Sequence, residues 1–144
     1  PFIRGAKTYA EQFIFPGGAS DNKLYFEKHV QYRRELADLP LLLPARGPQD
    51  WQHAWHLFVV RLTGFAPVGR NEFIEKMLKM NIGCSVHFIP LHIQPYWRDR
   101  YGFKPEDFPR SYEAYEGAVS LPLYPGMTET DQRRVIDAVR AILQ

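Results

Sequence analysis

Disulfides are excluded from the start: the 144 residues hold a single cysteine, Cys84. One unpaired thiol fits a reducing compartment, so a cytoplasmic protein is expected. Long apolar runs are missing too. None approaches the ~18 residues that a membrane-spanning helix needs, which rules out a transmembrane reading. No basic stretch leads into an apolar one at the start of the chain, so nothing points to secretion. Neither sign of charge dominates: 18 Lys and Arg stand against 16 Asp and Glu, a net charge of +2. So weak a field offers little to nucleic acid or to an anionic membrane, and neither is expected as a partner. Phosphate-cradling glycine loops are lacking as well. Pro16-Gly17-Gly18 and the pair Gly64 and Gly69 have neither the spacing nor the Lys-Ser/Thr ending. A Gly-x-Ser-x-Gly nucleophile elbow is absent, and so are internal repeats and low-complexity stretches.

Aromatic residues, by contrast, are plentiful. Three Trp, eight Tyr and ten Phe are far too many for a chain that avoids a core, and 16.8 kDa suits one domain. Residues 1–19 show no sustained period and run into a Pro-Gly-Gly breaker, so they read as an N-terminal extension or linker remnant. From Ser20 or Asp21 as N-cap, Tyr25, His29, Tyr32 and Leu36 recur on one helical face until Pro40 stops the helix. LLLPARGPQD is expected to be a loop, and WHLFVVRL, residues 55–62, a covered strand. GRNEFIEKMLKMNIG then reads as a helix, with Phe73, Met77 and Met80 on one face and Gly83 as the breaker.

CSVHFI, residues 84–89, is expected to be a second strand with Cys84, Val86 and Phe88 on its core side. Residues 111–117 suit a short helix, and AVSLPLY a third strand with Pro122 at its edge or end. Thr128, with Asp131 three residues on, caps a last helix buried through Val135, Ala138, Val139 and Ile142. This order predicts an α/β (α+β) two-layer domain. About three strands pack against helices, and the first two strands are joined by a right-handed strand–helix–strand crossover.

Reactive residue types converge in one place, SVHFIPLHIQPYWRDRYG. His87 stands near a strand end; His92 and Tyr96 follow in a loop stiffened by Pro90 and Pro95. Two imidazoles and a phenol there can bind a sugar hydroxyl, a phosphate or a carboxylate, or move a proton. A strand histidine among apolar neighbours is as readily a hydrogen-bonded core residue. The five-residue spacing of His87 and His92, with Cys84 as the sole thiol, matches no zinc pattern, so no metal is expected. His53 and His56 suit packing, Cys84 an inert apolar role, and the Arg33/Arg34 and Arg133/Arg134 pairs solvated helix faces. The residues by themselves describe a helper domain with a polar loop.

WHLFVVRL, then GRNEFIEKMLKMNIGCSVHFIPLHIQPYWRDRYGF, then FPRSYEAYEGAVSLPLYPGMTETDQRRVIDAVRAIL resemble the C-terminal part of the DegT–StrS family. These are pyridoxal-phosphate-dependent aminotransferases of keto nucleotide-sugars, with the aspartate aminotransferase fold type (fold-type I). VHFIPLHIQPYW and SLPLYPGMT, in that order, are the most specific pieces, and QYRRELADLP resembles the helix joining the two domains. The resemblance implies that residues 20–144 are the small C-terminal domain, with 20–40 as the interdomain helix, beside a large cofactor domain. It also implies that residues 87–96 face the cleft between domains. On that ground His87, His92, Tyr96 and Pro90 become the candidate substrate-binding residues.

For a full-length parent the resemblance implies pyridoxal phosphate as cofactor, a glutamate or glutamine amino donor, and a keto nucleotide-sugar acceptor. It also implies a homodimer and a place in polysaccharide or antibiotic sugar biosynthesis. None of the six lysines (Lys7, Lys23, Lys28, Lys76, Lys79, Lys104) lies in the family's Ser-Phe…Lys context. Without a Schiff-base lysine the chain carries no catalytic residue and is expected to be inactive alone. Some members carry histidine at that lysine and dehydrate instead. The competing expectation is a stand-alone, non-catalytic interaction module whose contact surface is the aromatic stretch 96–108. The fragment reading also predicts an exposed apolar face, part of it the helix stripe Tyr25, His29, Tyr32 and Leu36.

Overall fold

Tyr25, His29, Tyr32 and Leu36 do form one helical stripe, and all four are buried at 2% exposure or less. The computed structural model describes residues 19–45 and 54–144; the expectations for residues 1–18 and for His53 lie outside them. The stripe belongs to α1 (Ala19–Glu35) and its following turn. It packs onto this chain's own sheet, with the rings of His29 and Tyr32 at 4.8 and 4.9 Å from Phe58. That corrects the expectation that this stripe is part of an exposed face. Leu24, Phe26 and Val30 are the exposed apolar residues of α1.

The sheet has three antiparallel strands in the order β1 (Leu41–Leu42), β2 (Phe58–Leu62), β3 (Ala118–Leu121). Leu41 pairs with Leu62, and Phe58 with Leu121, so Phe58, Val60, Val119 and Leu121 share one face. Against that face lie α1, α2 (Arg70–Lys79) and α5 (Glu129–Leu143), enclosing the core. Between α2 and β3 the chain runs through two short 3-10 turns, α3 (Pro95–Tyr101) and α4 (Pro109–Gly117).

The two-layer architecture agrees with expectation; its wiring does not. β1 lies in the segment read as a loop, where Leu41 and Leu42 find a partner edge on β2. Residues 84–89 are no strand: a single bridge, Ser85 to Ser120, ties them to β3. Of the expected strand–helix–strand crossover only that bridge remains: Ser85 pairs antiparallel with Ser120 on the side of β3 away from Val59, so after α2 the chain runs parallel to β2 there for a single residue.

Helix ends follow local chemistry. At the end of α2 the left-handed residue is Asn81 (φ 57), not Gly83. Ile82 N–H bonds Met77 O at 3.0 Å and Asn81 N–H bonds Leu78 O at 2.9 Å, a Schellman closure with buried Ile82 against Met77. Met80, past the last helical residue, is 42% exposed and so leaves the predicted Phe73–Met77 face. Gly117 joins α4 to β3 where a Cβ would meet Leu62 O at 2.8 Å, so only glycine fits. The Thr128 cap is as expected, with Asp131 N–H donating to Thr128 Oγ1 at 3.1 Å.

Candidate functional site

Residues 83–94 leave α2, pair with the β3 backbone at one residue, Ser85, and then turn outward, because apolar alternation alone does not make a strand without a partner along its length. Phe88 is 79% exposed and Val86 only half-buried, so neither is the core anchor expected of them. His87 is held to the sheet. Its Nδ1 lies 2.9 Å from Oγ of Ser120, a buried residue of β3.

Pro90 precedes the 3-10 turn Leu91–Ile93 and stiffens its entry. His92 in that turn is buried, its ring 4.9 Å from Phe108. Its Nε2 is covered and has no hydrogen-bond partner, which is costly for a buried polar atom. Tyr96, in the first turn of α3, is exposed. It begins a chain of rings: Tyr96 on Trp97, Trp97 on Tyr101, Tyr101 on Phe103, and Phe103 on Phe108. Gln94 Nε2 donates to Ile89 O at 3.2 Å and closes the turn between the two histidines.

The four candidates therefore share one strap of chain but not one cluster. His87 is anchored to β3, His92 to the ring chain. No hydrogen bond or ring contact joins His87, His92 and Tyr96 to one another among the described residues. The residue that sequence reasoning missed is Ser120. Its signal was there: one hydroxyl inside a four-residue strand that is buried throughout.

Other groups keep structural roles. Burial pushes the Cys84 thiol up to about 11, so it stays protonated near neutrality. Arg70 donates to Tyr115 O at 2.8 Å and lies over the Tyr115 ring, holding α4 against α2. No group of three or more His, Cys, Asp or Glu among the described residues is placed to hold a metal ion. No helix among them is long and apolar enough to cross a membrane.

The DegT/DnrJ/EryC1/StrS aminotransferase family matches over residues 26–140. The chain belongs to that family. It is 41% identical over 116 residues to the spore coat polysaccharide biosynthesis protein SpsC of Bacillus subtilis, covering 79% of this chain and 30% of that one. It is also 41% identical over 113 residues to the uncharacterized protein MJ1066 of Methanocaldococcus jannaschii, covering 78% of this chain and 29% of that one. Among solved structures, S. venezuelae DesV in complex with a ketimine intermediate superposes with a TM-score of 0.72 at 31% identity. That match covers 83% of this chain and 31% of DesV. As a DegT/DnrJ/EryC1/StrS member the chain thus spans about 30% of the length of these relatives.

Among the described residues, no lysine is placed as a holder of the pyridoxal phosphate that the family implies. A lysine that holds this cofactor would be sheltered and unpaired. Here Lys23, Lys79 and Lys104 are exposed, and Lys28 and Lys76 are half-buried. Lys76 is ion-paired with Glu72 at 2.9 Å.

Proposed function

We propose that this chain is the substrate-binding C-terminal portion of a longer aminotransferase that aminates a keto nucleotide-sugar. The carrying observation is its family membership over residues 26–140, supported by the likeness to a polysaccharide biosynthesis protein. Residues 20–144 form the small domain, with 20–40 as the helix leading from the cofactor domain. Pyridoxal phosphate is held by the part of the protein outside this chain, and the chain alone is inactive. The parent is a cytoplasmic homodimer that takes its amino group from an amino acid.

In this reading the strap of residues 87–96 forms one wall of the sugar pocket. His87 and exposed Tyr96 offer polar atoms to the substrate, and Pro90 fixes the bend between them. His92 stands with an unsatisfied Nε2, a cost relieved by a polar group brought in from outside this chain. The exposed apolar side chains of Phe88, Leu91 and Tyr101 suit a face that the cofactor domain covers. They suit a stand-alone interaction module equally, so the test must be chemical.

The whole protein is incubated with glutamate and a 4-keto nucleotide-sugar, and 2-oxoglutarate and amino-sugar are measured together. Equal appearance of both supports the reading; 2-oxoglutarate without amino-sugar contradicts it. In the same protein, His92→Ala lowers turnover or raises the sugar KM while the cofactor absorbance stays. Unchanged kinetics would remove His92 from the pocket.

A further inference from the structure

Ser120 has its backbone fixed from one side, with its N–H donating to Ser85 O at 2.7 Å and Ser85 N–H donating to its carbonyl at 3.1 Å. Two residues beyond that bridge, on the same side of an extended chain, His87 meets the Ser120 hydroxyl at 2.9 Å. Ser120 is buried, and among the described residues His87 Nδ1 is the one hydrogen-bond partner of its hydroxyl. A buried O–H needs an acceptor. Nδ1 can accept only if it carries no proton, so the proton of the neutral ring sits on Nε2. The opposite arrangement, Nδ1–H donating to Oγ, leaves the hydroxyl hydrogen buried with nowhere to go.

Nε2 is differently placed: His87 is half-buried, and among the described residues its Nε2 has no hydrogen-bond partner and is not sealed from solvent as His92 Nε2 is. We propose that Ser120 is a positioning residue that fixes His87 as the Nε2–H tautomer, making it a hydrogen-bond donor to an oxygen of the substrate. The tautomer stands on the geometry alone, whereas the substrate contact, to a keto, hydroxyl or phosphate oxygen of a nucleotide-sugar, rests on the function proposed above. His87 in this role donates; it does not take up a proton.

The test starts with the whole protein labelled with ¹⁵N-histidine, at about pH 8 where imidazole is neutral. Long-range ¹H–¹⁵N spectra, with His87→Gln to assign the resonance, report which ring nitrogen holds the proton. The expected result is a single Nε2–H tautomer. A proton on Nδ1 overturns the proposal without touching the family reading. Ser120→Ala is expected to broaden or mix the His87 signals, and Ser120→Thr, which keeps the hydroxyl, to restore them; unchanged signals in Ser120→Ala also overturn it.

Kinetics then separate the two claims. Glutamine places its amide nitrogen near the Nε2 position and asparagine near Nδ1. His87→Asn should therefore raise the sugar KM about tenfold more than His87→Gln, one hydrogen bond's worth. Equal KM values for both, beside an Nε2–H spectrum, overturn the substrate contact and leave the tautomer standing.

Discussion

Phe58 and Phe88 carry the same side chain, and the fold treats them in opposite ways. Phe58 is fully buried between β2 and the rings of His29 and Tyr32; Phe88 is 79% exposed on the strap. Phe58→Ala should cost about 3–5 kcal/mol through the cavity it leaves. Phe88→Ala should change stability by less than about 0.5 kcal/mol. Urea denaturation of both variants checks this, and similar losses would contradict the exposed strap. Cys84 offers a second residue-level test. With its pKa raised to about 11 from 9.0 by desolvation, its thiolate at pH 8 is scarce. Alkylation by iodoacetamide should run about a hundredfold slower than for a free thiol, as mass spectrometry can follow; rapid labelling would show the thiol to be open.

Elements are held at their ends as much as by their faces. Thr128 and Asp131 exchange hydrogen bonds at the start of α5, and the bonds from Thr128 hold the Asp131 carboxyl below its ordinary range. Thr128→Ala should lower stability by about 1 kcal/mol, read from the urea midpoint. No change would mean that α5 is fixed by packing alone. Arginines close three C-termini: Arg70 on Tyr115 O, Arg134 on Met80 O, and Arg140 on Glu35 O. Arg140 also grips both oxygens of Asp38 at 2.8 and 2.7 Å, which lowers that carboxyl's pKa.

These ends mark how far a sequence reading reaches. α5 was legible because Thr128, Asp131 and the stripe from Val135 to Ile142 all give the same answer. The buried stripe of α1 was legible too, but not its partner: period alone cannot say whether Tyr32 meets Phe58 or another domain. Residues 84–89 misled because Cys84, Val86 and Phe88 alternate correctly, yet only Ser85 finds a strand to pair with. Leu41 and Leu42 were invisible for the converse reason, since their pairing depends on Leu62 and Arg61 arriving alongside. At the site, His87 was legible by type and position, whereas Ser120, its partner from a distant strand, emerges only once the fold brings them together.

At the scale of the whole molecule, a complete core coexists with an uncovered apolar surface. Phe88, Ile89, Leu91, Tyr96 and Tyr101 are each more than half exposed along the strap and α3, while the sheet and three helices enclose their own interior. A core supports independent folding, and the uncovered surface suits something docked on it. Family relatives are more than three times as long as the stretch this chain matches. On the function proposed above, the chain works as part of a longer enzyme.

The mass of the native protein in its source cells, read with an antibody against this chain, decides between a longer enzyme and a domain that stands alone. A band about two to three times 16.8 kDa is expected, room for a lysine-bearing cofactor domain beside this one. A band at 16.8 kDa would contradict it, and the exposed aromatic strap would then belong to a domain that binds partners without catalysing.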